Sequence, residues 1–231
     1  MALTGPGPQT PGVGTWAFVG DSVTAAGRDR SRPGDLGAGW VAQVARRLRR
    51  IDAAAHVVNL GVPGDRLADV DARALPELEG AGALVPGAVV TLAVGVNDVR
   101  RAHLDSEPLD VDGFAARHAA LLDQVLAAAP GVRLVLVEPV LAPLEESQRA
   151  WVPDLGRVRD VLAATATRTG AVPVPAQAAL AAVPLQEATR DGFHPTATGH
   201  TALAEAWWAT ALAAGLLPGP RPRWWDRFRR S

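Results

Sequence analysis

Five short apolar runs, at 15–19, 57–60, 89–94, 134–137 and 172–175, punctuate the chain, and segments with helical spacing separate them. Apolar runs of this length bounded by Gly and turn residues read as buried strands. Strands that alternate with helices call for a parallel sheet covered by helices on both faces. The helical pattern is plainest at 40–51, where Trp40, Val41, Val44, Ala45, Leu48 and Ile51 fall on one face. It recurs at 66–78, in a segment that begins at Asp112 or Gly113, at 154–169, and in an Ala-rich stretch through Trp207, Trp208 and Leu212. Pro173 and Pro175 deny the fifth run ladder donors, which places it at the sheet edge or makes it merely extended.

With 231 residues, 48% of them apolar, the chain is long enough for one well-packed domain, expected at 15–217. It has no cysteine, which excludes disulfides, a thiol nucleophile and a cysteine-bound metal. All 23 basic residues are arginine, so Schiff-base chemistry and a lysine phosphate loop are excluded too. A net charge of -1 provides no field for nucleic acid. No cofactor or metal site is expected, and nucleophilic chemistry falls to a hydroxyl or a carboxylate. Residues 1–14, rich in Gly and Pro, read as a loose arm without signal-peptide character. No apolar run has the length of a membrane span, and the expected location is the cytoplasm. The tail at 218–231 interleaves Trp224, Trp225 and Phe228 with arginines. That mixture suits an anionic membrane surface, although docking of the tryptophans on the protein's own surface is the preferred reading.

Polar residues gather where the strands end. Gly20-Asp21-Ser22 follows the first run, and Ser22 there is either a nucleophile or part of a helix cap. Gly61 follows the second, as a bare N–H offered to a ligand or as a plain turn. Asn97, after the third, carries an amide able to donate into a crevice, or belongs to an Asn-Asp turn. Pro195 disfavours helix at His194, and Asp191 stands three residues earlier, placed to fix the tautomer in which Nε2 accepts a proton. His118 and His200 read as helix residues, and His56 and His103 lie beside element ends with no nearby catalytic partner. The loop 23–39 reads equally as a pocket lining or a mobile surface loop, and 141–153 as a pocket wall or lid. Carboxyl ends of parallel strands are where open α/β sheets bind ligands.

Four ordered blocks carry a resemblance: Gly-Asp-Ser-Val-Thr at 20–24, Asn-Leu-Gly at 59–61, Gly-Val-Asn-Asp at 95–98 and Asp-Gly-Phe-His-Pro at 191–195. In these the chain resembles the SGNH hydrolase superfamily, also called GDSL-type esterases and lipases. Val23 stands where many members have Leu, a conservative change. The resemblance implies a three-layer α/β/α sandwich with a flavodoxin-like sheet. It implies Ser22 as nucleophile, His194 as general base, Asp191 as its orienting partner, and an oxyanion hole from the Ser22 and Gly61 N–H groups and the Asn97 amide. The expected substrate is a small or short-acyl ester, such as an acetylated sugar or a lysolipid. The rivals are a metal-dependent phosphoesterase and a non-catalytic binding module on the same fold.

Overall fold

The computed structural model describes residues 14–32 and 34–217. The expected arm, except Gly14, and the 218–231 tail lie outside the described residues. The sheet contains β1 (Thr15–Gly20), β2 (His56–Gly61), β3 (Val89–Ala93), β4 (Arg133–Val137) and β5 (Val172–Val174). Its order is β2-β1-β3-β4-β5 and every pairing is parallel, the flavodoxin-like arrangement. Proline-rich β5 occupies an edge, as its missing donors require.

Helices α1 (Ser22–Ala25), α2 (Trp40–Ile51), α3 (Leu67–Gly80), α4 (Val96–Asp105) and α5 (Val111–Ala128) accompany the first half of the sheet. The second half is followed by α6 (Glu146–Arg149), α7 (Val152–Thr169), α8 (Ala176–Ala181), α9 (Leu185–Ala188) and α10 (Ala197–Ala213). Because strand side chains alternate between faces, β1 divides its residues between two cores. Ala17 and Val19 pack with Val90, Leu92 and Leu136 beneath α3, α5 and α7. Trp16 and Phe18 pack with Val57, Val89 and Val135 beneath α2, α8 and α10. The result is a three-layer α/β/α sandwich.

The second core has an aromatic centre. Phe18 meets Trp40 edge-on at 5.2 Å between ring centroids and Trp207 at 5.5 Å. The buried indoles also find acceptors: Trp207 Nε1 donates to Thr91 Oγ1 at 3.2 Å, and Trp40 Nε1 to Val23 O at 3.2 Å. The first bond seats α10 on the sheet; the second ties α2 to the turn that carries Ser22. One local reading changes. Asn97-Asp98, which suits a turn by composition, lies in the first turn of α4, because Gly95 takes φ 126° and swings the chain straight into helix. Among the described residues, no helix is long and apolar enough to cross a membrane.

Candidate active site

β1 ends at Gly20, and a side chain there would overlap the Ala93 carbonyl and the Thr24 hydroxyl, so glycine is needed where β1 passes the end of β3. Asp21 then leaves the strand with extended backbone, and its Oδ1 accepts from Val23 N at 2.9 Å, capping α1. Ser22 is the first residue of that helix, so its own N–H has no intrahelical acceptor and its side chain stands at the sheet edge. Asp21 is 3% exposed. Burial pushes its carboxyl up to about 7 against the pull of the Val23 N–H, and the charges of Asp98 and Asp65 add to the rise.

Arg73, an apparent surface residue of α3 in the sequence, fastens this corner. It donates from Nη2 to Gly20 O at 3.1 Å and from Nη1 to Leu60 O at 2.9 Å, while Nε meets Asp65 at 2.6 Å. The ends of β1 and β2 and the loop after β2 thus share one guanidinium. Its place within the helical pattern at 66–78 gives no hint of these partners.

His194 belongs to the loop between α9 and α10. A bridge between Thr189 and Pro195 closes this loop, Arg190 N donates to His194 O at 2.9 Å, and Gly192 takes φ 99° at its tip. Asp191 Oδ1 accepts from His194 N at 2.9 Å, which leaves Oδ2 to accept from His194 Nδ1–H at 2.6 Å. Nε2 then faces Ser22 Oγ at 2.9 Å. Burial pushes the Asp191 carboxyl up, but the hydrogen bonds from His194 outweigh it and hold the group below the usual carboxylate range.

A second segment fixes the same loop. Buried Gln148 donates from Nε2 to Asp191 O at 2.6 Å, while its Oε1 accepts from Leu144 N at 2.9 Å. Ala142 N donates to Gly192 O at 2.7 Å, and Trp151 packs on Phe193 at 6.0 Å between ring centroids. The 141–153 segment therefore braces the Asp191–His194 loop from beside it. A side chain at Gly192 would overlap the Gln148 amide, so this glycine is required twice over, by its φ and by the close approach.

The structure changes the reading of Gly61. Its N–H donates to Asn59 Oδ1 at 2.9 Å, inside the protein, and a side chain there would overlap the Ala25 backbone. Gly61 permits close packing of β2 on α1 and has no free donor to offer. Asn59, which the sequence marks only as part of a block, also donates from Nδ2 to Thr24 O at 2.8 Å and Leu36 O at 2.9 Å. The exposed donor of this strand end is three residues on. Gly64 takes φ 87°, and its N–H has no acceptor among the described residues. Asn97 Nδ2 donates one proton to Asp65 O at 3.0 Å, which holds the Gly64 loop beside it and leaves a second amide proton. Beneath them Asp98 accepts from Leu67 N at 3.0 Å, and burial pushes its carboxyl up to about 6.

Ser22, Gly27, Pro63, Asp191, His194 and His200 line one open cavity of about 370 Å³. His200, in α10, is 6% exposed; burial holds it neutral by lowering its pKa to about 4. The other histidines stand apart. His118 is fully buried and stacked on Phe114, and His103 Nε2 meets Asp154 Oδ2 at 2.8 Å.

A model of the GDSL-like lipase/acylhydrolase family matches residues 18–202. The chain belongs to that family. Like the family, it is a hydrolase of esters, and its substrates are small-molecule esters. Solved structures agree with the fold throughout. A protein from Parabacteroides merdae described as a GDSL-like lipase is 25% identical, with a TM-score of 0.77 over 88% of this chain and 96% of its own. An acetylxylan esterase from Geobacillus stearothermophilus is 25% identical with a TM-score of 0.73, covering 85% of this chain and 93% of its own. Structures of that esterase include catalytic mutants in which an aspartate, a serine or a histidine is replaced by alanine. An enzyme from the metagenome of Lake Arreo shares the fold at 23% identity, with a TM-score of 0.75 over 89% of this chain and 97% of its own. No curated protein matches the sequence.

Proposed function

We propose that this GDSL-like hydrolase cleaves short-acyl esters by two-step acyl transfer on Ser22, with His194 as general base and Asp191 as its orienting partner. The observation that carries the reading is the unbroken chain from Ser22 Oγ to His194 Nε2 at 2.9 Å and from Nδ1 to Asp191 at 2.6 Å. His194 takes the hydroxyl proton as Oγ bonds to the ester carbonyl carbon, and the carbonyl oxygen becomes an oxyanion. Collapse of that intermediate breaks the ester C–O bond, and the imidazolium returns its proton to the departing alcohol. Water then attacks the acyl-serine in the same way, releasing the acid and restoring Ser22.

The oxyanion donors in this reading are the Ser22 N–H, the Gly64 N–H and the remaining Asn97 amide proton, with Gly64 in place of Gly61. Aspartate, serine and histidine are also the residues altered in the catalytic mutants of the acetylxylan esterase. That likeness makes acetylated sugars the first substrates to try, ahead of lysolipids. A panel of acetyl, butyryl and octanoyl p-nitrophenyl esters with acetylated xylo-oligosaccharides tests the proposal. Turnover of the short esters, abolished in Ser22→Ala, is expected; undiminished turnover in that variant overturns it.

A further inference from the structure

We propose that the crevice wall beyond Asn97 is a subsite for an anionic group of the substrate, a carboxylate or a phosphate, anchored by Arg100. The proposal rests on the esterase reading above and adds the substrate's charge. A cavity of about 450 Å³ is lined by Gly64, Arg66, Asp69, Asn97, Arg100 and Arg101. It adjoins the Ser22 cavity, for Pro63 lines that one and Gly64 this one. Three guanidiniums meet a single carboxylate here, and that carboxylate is taken: Asp69 accepts from Arg66 Nε at 3.2 Å. Arg101 is paired with Asp105.

Arg100 differs from both. Among the described residues it has no carboxylate partner, and its guanidinium lies over the Phe193 ring, 5.9 Å from the centroid. A guanidinium resting on an aromatic face is held in place without losing its N–H donors, which match carboxylate and phosphate oxygens. The neighbouring cavity of about 290 Å³ lacks this feature, because its Arg66, Arg101 and Arg117 are each paired with a carboxylate. Position adds to charge. Asn97 and Arg100 are three residues apart on α4 and so share a face of the helix. The Phe193 ring that carries Arg100 is in turn 4.3 Å from the His194 ring, centroid to centroid. An ester with its carbonyl oxygen at Asn97 therefore has Arg100 within reach of a substituent one helical turn away.

The test compares kcat/KM within pairs of esters that differ only in charge. Mono-p-nitrophenyl succinate and its methyl ester carry the difference on the acyl side, and p-acetoxybenzoate and its methyl ester on the alcohol side. The pair p-acetoxyphenyl phosphate and its dimethyl ester distinguishes phosphate from carboxylate by the larger ratio. The wild type should favour the charged member of at least one pair, by up to about fivefold, the upper range for a partly exposed charge pair. That preference should shrink as salt is added. Arg100→Gln should bring the ratio close to one, and Arg100→Lys should keep part of it. Because the ratio is internal to each preparation, partial misfolding of a variant does not imitate the effect. Arg190 lines the Ser22 cavity and is the rival cation. Wild-type ratios at or below one, a ratio untouched by Arg100→Gln, or a ratio lost in Arg190→Gln instead, would overturn the subsite and leave the esterase reading intact. Failure to hydrolyse any member, neutral ones included, would remove both.

Discussion

Ser22 stands at the end of a central strand, whereas His194 stands on a loop between two helices, and different contacts hold each in place. On the serine side the restraints are buried and belong to the sheet. Parallel register puts Gly20 beside Gly61 and Ala93, Asp21 caps the next turn from the interior, and Arg73 fastens two strand ends. On the histidine side Asp191 is exposed, and the loop is held by hydrogen bonds from a separate segment, through Gln148 and Ala142. The difference teaches that Ser22 is located by the fold itself, while His194 is located by a brace outside the sheet.

The largest effects test whether the two halves act as one unit. Ser22→Ala, His194→Ala and the double variant should each lower kcat by at least about ten-thousand-fold, because residues of a triad are grossly non-additive. Losses that multiply in the double variant would separate the halves. Next comes Asn97→Ala, which should cost about a hundred- to a thousand-fold in kcat if its free amide proton stabilises the oxyanion. A pure rise in KM would assign Asn97 to substrate binding instead.

Loosening the brace should do less. Gln148→Ala removes the donor to the Asp191 carbonyl and the acceptor of the Leu144 N–H; it should lower kcat by about tenfold, the scale of the one hydrogen bond lost to the Asp191–His194 loop, and lower the unfolding midpoint as well. Equal losses in Gln148→Ala and His194→Ala would contradict the idea of an adjustable brace.

Much of this was legible in the sequence, and the reasons differ from place to place. The strands announce themselves because a sheet buried on both faces needs unbroken apolar runs, and prolines mark the edge strand. The segments bearing Ser22, Asn97 and Asp191–His194 stand out because Gly, Asp, Asn and Pro have local conformational signatures, although Asn97 opens a helix and not the turn its composition suggests. Gly61 misled for a physical reason: a glycine after a strand signals close approach, and close approach of α1 looks the same in sequence as close approach of a ligand. Gly64, three residues on, takes φ 87°, and its positive φ has no marker in the sequence beyond glycine itself. Arg73, Asn59 and Gln148 were hidden, since each acts on carbonyl groups far away in the chain and no local pattern encodes such partners.

Another expected effect concerns stability and not rate, on the serine side. The Asp21 carboxyl is raised from 3.8 to about 7 in the folded protein, so the stability it contributes is fully present below pH 3.8 and is lost as the pH rises through 7. Asp21→Asn keeps an oxygen acceptor for Val23 N and removes the ionisation. The variant should lose less stability than the wild type between pH 5 and pH 8 in urea unfolding, with Asp98, raised to about 6, leaving a residual slope. Identical slopes would show that Asp21 does not ionise at the cost of the fold.

The central claim, that the sheet edge delivers Ser22 to His194 as an activated nucleophile, is tested most directly by covalent labelling. A fluorophosphonate probe should modify the wild-type protein once, with the adduct mapped by mass spectrometry to the peptide containing Ser22, and His194→Ala should abolish the labelling. An adduct on another residue, or labelling of Ser22 that is undiminished without His194, would contradict it.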